Sequence, residues 1–260
     1  MADLEYTVTD GIGTILLNRP QAKNAFTLEM IDQWADALRS AKTDPSVRVV
    51  VLTGAGDAFC AGIDLSVLEA VGDEPIALKS MLSDGVHQVA HAVAELDKPM
   101  IAAVNGAAVG AGMDMALMCD IRLMKQSARM SEGYIKVGLV PGDGGCYYLP
   151  RLVGMAKALE MLWTGDFVDS AEALRIGLVS HVYSDDDFEK SYGDFVARLA
   201  KQPPINVRMI KRATYQSARS DLRTALDLIS SHLAVVHGTN DSREARSAFQ
   251  ERRQPSFVGS

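Results

Sequence analysis

The chain predicts an α/β fold that ends in an all-helical tail. Two continuous apolar runs, "VRVVVLTG" and "KPMIAAVNG", read as buried strands and alternate with helical segments. Glycine-rich turns follow both strands. From about Ala200 onward, "PPINVRMIKRATYQSA", "LRTALDLISSHLAVVHG" and "DSREARSAFQERR" are consecutive helices with no strand between them. The division expected is therefore a core over residues 1–200 and a helical region over 201–260, with no internal repeat.

The segment "YTVTDGIGTILLNRP" reads as two strands around an Asp-Gly turn. Next, "TLEMIDQWADALRSAKTD" is an amphipathic helix with Thr27 at its N-cap and Glu29 in its first turn, where the helix dipole favours acids. After the strand "VRVVVLTG", the stretch "GAGDAFCAGIDL" is a glycine-rich loop running into a helix, and "MLSDGVHQVAHAVAEL" is a helix. Beyond "KPMIAAVNG" come a turn and a helix starting near Ala111, then the short strand "IRLM". "VGLVPGDGGCYYLPRLVG" is a loop with a helix start, "MAKALEMLWTG" a helix, and "SAEALRIGLVSHVY" a helix and a strand.

Composition narrows the function. Apolar residues make up 48% of 260 positions, enough for a large core, and a net charge of −7 argues against a nucleic-acid footprint. Three widely spaced cysteines in apolar context fit packing thiols in a reducing compartment rather than a disulfide framework. "MIAAVNGAAVGAGMDMALM" has nearly the length of a membrane span, but Asn105, Asp114 and its glycines argue against one. With no basic n-region before an apolar stretch at the N-terminus, a cytoplasmic protein is expected, with no membrane partner.

"VNGAAVGAGMDMALMCDIR", Val104 to Arg122, is apolar enough for a core helix, yet glycines crowd its start and Asp114 interrupts it. Each helical glycine costs about 1 kcal/mol relative to alanine, and a lone buried carboxylate costs more. A helix beginning near Ala111 leaves free N–H groups in its first turn, where an anionic oxygen binds. Gly110 and Gly112 would then let that oxygen approach, with Asp114 one turn in; the competing reading is a packing turn with a solvated aspartate. The loop around "FCAGIDL" repeats the logic, and two such loops can present two N–H groups to one oxygen, an oxyanion hole. That pairing requires both loops at the same end of neighbouring strands.

"AFCAGIDL", "VNGAAVGAGMDMALMCDIR", "GLVPGDGG", "WTGDFVDSAEALRIGLVSHV", the opening "LNRPQAKNAFTLEM" and the ending "AFQERRQPSF" together resemble the crotonase superfamily of enoyl-CoA hydratases and isomerases. The resemblance spans nearly the whole chain, in order and spacing. It implies a spiral of ββα units with a C-terminal assembly tail, a homotrimer or dimer of trimers, and an acyl-CoA thioester substrate, with no cofactor beyond the CoA of the substrate and no metal. By position it makes the backbone N–H groups of Ile63 and Ala111 the oxyanion donors and puts Ala61, Gly62, Asp64 and Gly110 around the thioester. Lys23 and Arg19, and from the tail Lys211 and Arg212, become candidate contacts for CoA phosphates, beside the plainer reading of solvated charge.

The departures from the family pattern bear on chemistry. The resemblance implies two glutamates in a hydratase, which hold a water between them; here the first is Asp114 and the second is Tyr134. Glu132, two residues before Tyr134, is one candidate replacement, and Asp143 in "PGDGG" is another. Asp114 and Asp143 form the favoured acid–base pair, with Tyr134 as proton donor or substrate contact. Against that, Asp143 has a second reading as the cap of a helix starting near Gly144. Hydration or double-bond migration of an enoyl-CoA is the expected activity. Hydrolysis, decarboxylation or dehalogenation through an aspartate, and non-catalytic acyl-CoA binding, are the alternatives. "HQVAH" spaces His87 and His91 as in a helical zinc motif but lacks its glutamate and a third ligand, and "VGAGMD" holds only part of a dinucleotide fingerprint.

Overall fold

The structure, a computed structural model, describes residues 2–72 and 74–260. β1 (Leu4–Thr9) and β2 (Ile12–Leu17) pair antiparallel as expected. Asp10 and Gly11 both adopt positive φ, 50° and 81°, which is the turn geometry that matches the twist of the flanking strands. In α1 (Leu28–Thr43) the Thr27 side chain caps the helix by accepting from the Met30 N–H at 3.3 Å. Met30, Ile31, Trp34, Leu38 and Ala41 form its buried face, at the helical spacing the sequence shows.

Three consecutive units follow, each giving one strand to each of two sheets before a helix. The first is β3 (Val49–Gly54), β4 (Ala58–Cys60) and α2 (Leu65–Val71), extended by α3 (Pro75–Ser80), a π-helical turn over Met81–Val86, and α4 (His87–Glu95). The second is β5 (Met100–Val104), β6 (Ala107–Val109) and α5 (Ala111–Leu117). The third is β7 (Ile121–Lys125) and β8 (Arg129–Ser131), then a 3-10 turn over Gly133–Val137, α6 (Gly145–Val153) and α7 (Met155–Thr164). The chain continues through β9 (Val168–Asp169), α8 (Ser170–Arg175), β10 (His181–Tyr183) and α9 (Phe188–Ala200). One sheet orders β1-β2-β3-β5-β7-β10 and the other β4-β6-β8-β9. The expected spiral of ββα units is therefore the observed fold. The whole second sheet is an addition to the sequence reading: β4 and β6 stand where the sequence reads as loop and turn, and β8 and β9 carry no strand signal of their own.

The continuous apolar runs of β3 and β5 have a direct cause. Val50 and Leu52 face a core shared with Phe26, Trp34 and Phe59, while Val49 and Val51 face a second layer closed by Phe188, Val196 and Ala200 of α9. A sheet covered on both faces has no polar alternation.

The tail comprises α10 (Pro204–Ser217), α11 (Leu222–His237) and α12 (Asn240–Glu251). No residue of α10 is fully buried; charge holds it to the core instead. Arg208 donates to Asp97 at 2.8 Å, while Lys211 donates to Asp120 at 2.7 Å and to the Lys98 carbonyl at 2.9 Å. Tyr215 also donates to Asp120, at 2.8 Å. Lys211 is thereby corrected from a phosphate contact to a largely buried anchor of the tail, and Arg212 stands 3.8 Å from Asp97. No helix among the described residues is long and apolar enough to cross a membrane.

Candidate active site

β4, β6 and β8 are parallel neighbours, with Cys60 beside Ala108 and Val109 beside Ser131. The loops leaving their C-terminal ends consequently lie together, as ligand-binding loops do in parallel sheets. They carry Ile63, then Ala111 and Asp114, then Glu132 and Tyr134. The same-end condition on the two glycine-rich loops is met.

Hydrogen-bond accounting singles out two N–H groups on these loops. Segment 61–64 is stitched down almost residue by residue: Ala61 N–H donates to the Lys23 carbonyl, Gly62 N–H to the Cys60 sulfur, and Asp64 N–H to the Phe26 carbonyl. Ile63 N–H has no acceptor among the described residues. In the second loop Gly110 N–H donates to the Ser131 carbonyl, whereas Ala111, as the first residue of α5, has no intrahelical acceptor. A Cβ placed on Gly62, the residue bonded to Ile63, would stand 3.4 Å from the Ala111 nitrogen.

The glycines explain this approach. Gly110 adopts φ 51°, ψ −122°, which a side chain would strain. A Cβ on Gly112 would lie 2.1 Å from the Cys60 carbonyl oxygen, so α5 reaches β4 only because that residue is glycine.

One turn along α5, Asp114 is fully buried. Tyr134 places its hydroxyl 2.7 Å from Asp114 Oδ2 and 3.1 Å from Asp143 Oδ2, joining the two carboxyl groups. The Asp143 N–H also donates to Asp114 Oδ2, at 3.2 Å. Burial pushes Asp114 up to about 7, against the hydrogen bond from Tyr134 and reinforced by the charge of Asp143. Burial likewise raises Asp143, with Tyr134 and His87 opposing. Tyr134 is raised far above the phenol range by burial and then by the two aspartates; it is a donor here, not a base. Glu132 is also fully buried, with its carboxyl oxygens facing Asp114 Oδ1 around Gly145 and making no hydrogen bond to Tyr134.

Asp143 does not cap α6. That helix starts at Gly145 after Gly144, with no side-chain cap, so the carboxylate of Asp143 is turned toward Tyr134. Asp64 spends its oxygens on Arg19, Ser66 N–H and Ser66 Oγ, and thus caps α2. Lys23 is paired with Asp57 on the surface, at 2.7 Å.

Two residues at the site have no local signal in the sequence. His87 Nε2 donates to the Gly142 carbonyl at 2.7 Å, 55 residues away, and so ties the Asp143 loop to α4. Asn24 lies wholly buried at φ 57° and donates to the Ala55 and Ala58 carbonyls, fixing the turn into β4. The zinc spacing of His87 and His91 gains no third ligand: no metal-binding cluster exists among the described residues. Cys60 and Cys119 are buried thiols pushed up to about 12 by burial, which leaves them inert as nucleophiles.

A ββα spiral whose adjacent strand ends offer two unused N–H groups beside a buried acid cluster is suited to polarising a carbonyl next to titratable groups. The chain belongs to the enoyl-CoA hydratase/isomerase family, whose family model matches residues 7–260. It is 35% identical to the 1,2-epoxyphenylacetyl-CoA isomerase of Escherichia coli over 97% of each chain. It is 31% identical to the crotonyl-CoA hydratase of Syntrophomonas wolfei over 95% of this chain and 94% of that one. The crystal structure of an enoyl-CoA hydratase from Bacillus anthracis matches it with a TM-score of 0.94, at 32% identity over the whole of both chains.

Proposed function

We propose that this protein binds an enoyl-CoA and migrates its double bond, with hydration the slower reaction. The position of the Tyr134 hydroxyl carries this reading. It occupies the point between Asp114 and Asp143, 2.7 and 3.1 Å from them, where two carboxylates would otherwise hold a water. Ile63 and Ala111 N–H groups hold the thioester oxygen, so charge that develops there on loss of a Cα proton is stabilised as an enolate. Asp114, on the helix that supplies one of those donors, takes the proton. Asp143 returns one at Cγ, and Tyr134 relays a proton between the two carboxyl groups to reset the site. The CoA is part of the substrate, and these steps ask for no further group.

The test compares two substrates. A 3-enoyl-CoA is expected to gain the absorbance of the conjugated thioester rapidly, while crotonyl-CoA loses its absorbance slowly. Faster hydration of crotonyl-CoA would overturn the reading, and binding of both without turnover would make the protein an acyl-CoA binder.

We further propose a homotrimer or dimer of trimers, in the cytoplasm, assembled through the tail. Leu222, Leu226, Ile229 and Leu233 repeat at helical spacing along α11 and are exposed by 42 to 75%. Such a stripe marks an interaction face. Removing residues from Gln202 onward is expected to give monomers or aggregates in size-exclusion chromatography. A truncated chain eluting as the same oligomer as the full chain would contradict the role.

A further inference from the structure

Glu132 follows β8 directly and has no exposed surface. Among the described residues neither of its carboxyl oxygens has a hydrogen-bond partner, and nor does Asp114 Oδ1. These three atoms surround one point: a Cβ on Gly145 would lie 2.6 Å from Asp114 Oδ1 and 2.8 and 2.9 Å from the two Glu132 oxygens. Two carboxyl groups thus face each other across a glycine, with all three facing oxygens unsatisfied as acceptors. Both groups cannot carry charge in a dry site without strong repulsion. A proton on one of them satisfies both, because a carboxylic acid donates where a carboxylate only accepts.

We propose that Glu132 is the neutral partner, donating its proton to Asp114 Oδ1, and that it acts as a positioning residue that holds Asp114 as the base. This deepens the reading of Asp114 as the group that moves the Cα proton, and rests on it. The assignment of the proton to Glu132 follows from what each group touches. Asp114 Oδ2 already accepts from the Tyr134 hydroxyl and the Asp143 N–H, both of which favour its anion, whereas Glu132 has no other donor. The remaining ionisable neighbours do not alter this balance. Asp143, Cys146, Tyr134 and Tyr148 face the pair without positive charge, Cys60 lies by Asp143, and His87 lies beyond Asp143 on the Gly142 carbonyl. Burial and then the Asp114 charge push Glu132 up to about 10, well above the value near 7 of Asp114.

The test uses the full-length protein with Glu132→Leu and Glu132→Gln. Without the donor the Asp114 anion is less favoured, so the acid limb of the kcat profile moves to higher pH. For a shift of about one pH unit, kcat at pH 7 drops several-fold to about tenfold, with KM held. Glu132→Gln keeps an N–H donor in the same place and rescues both the rate and the limb. Infrared difference spectra supply a readout that needs neither turnover nor the leucine variant: at pH 8 the wild-type-minus-Glu132→Gln difference shows the carbonyl stretch of the protonated Glu132 carboxyl, in which any band from a protonated Asp143, common to both proteins, cancels. Absence of that band from the difference overturns the proposal whatever reaction the enzyme runs. Loss of about 10² in kcat on Glu132→Gln overturns it too, since Glu132 would then be an ionised base. If the band is present but no enoyl-CoA turns over, the pair stands and the proposed reaction falls.

Discussion

Asp114→Asn is expected to lower kcat for enoyl-CoA isomerisation by at least ~10² with little change in KM, and at pH 8 to raise the melting temperature. The two effects share a cause. Asp114 is buried with a carboxyl that titrates near 7 instead of its ordinary 3.8. Between pH 4 and 7 the unfolded chain releases a proton that the folded chain retains, so folding stability falls across that window and the loss is complete above 7. Asparagine has no charge to bury and escapes this loss, while its oxygen can still accept from Tyr134 and from the Asp143 N–H. Melting curves should separate wild type and variant at pH 8 and bring them together at pH 4. A variant that keeps its rate would remove Asp114 from proton transfer, and an unchanged melting temperature at pH 8 would remove the strained ionisation. In the wild type, kcat should rise with pH through about 7 as Asp114 ionises.

Ala111→Pro deletes one of the two N–H groups proposed to hold the thioester oxygen and should reduce kcat/KM by ~10²–10³. The position makes the substitution tolerable to the fold. Ala111 is the first residue of α5, where proline is favoured because its missing N–H has no helical partner in any case. Gly110 before it is the residue type least restricted by a following proline. The melting temperature should therefore change little while the rate collapses. Full activity in a correctly folded Ala111→Pro protein would take this N–H out of the site.

Much of this arrangement was legible in sequence wherever the cause is local. The Asp10-Gly11 turn, the Thr27 cap and the start of a helix at Ala111 each depend on a few adjacent residues, and each appears where expected. β4 and β6 were not legible. Each is three residues long, and only pairing with its neighbours makes it a strand. Because those two strands align the loops, the juxtaposition of the Ile63 and Ala111 N–H groups could be anticipated only as a condition. The side chains resisted for a similar reason. Lys211 reads as a surface cation until α10 lays it against Asp120, and Asp143 reads equally as a helix cap or an acid until the backbone at Gly144 turns it toward Tyr134. His87 meets Gly142 across 55 residues with no pattern to announce it. Glu132, at i−2 from Tyr134, shares its face in an extended reading; in the structure the two part company, because a 3-10 turn begins at Gly133.

Enolate formation at the thioester is tested most directly by hydrogen exchange at Cα of a saturated acyl-CoA. Butyryl-CoA has no double bond to move or hydrate, so incubation in D2O isolates the proton-abstraction step from everything that follows it. Mass spectrometry is expected to show deuterium entering at Cα with the wild type, at a rate that rises with pH through about 7 and is lost in Asp114→Asn. Butyryl-CoA that binds to the wild type and leaves without deuterium would contradict the enolate chemistry assigned to this site.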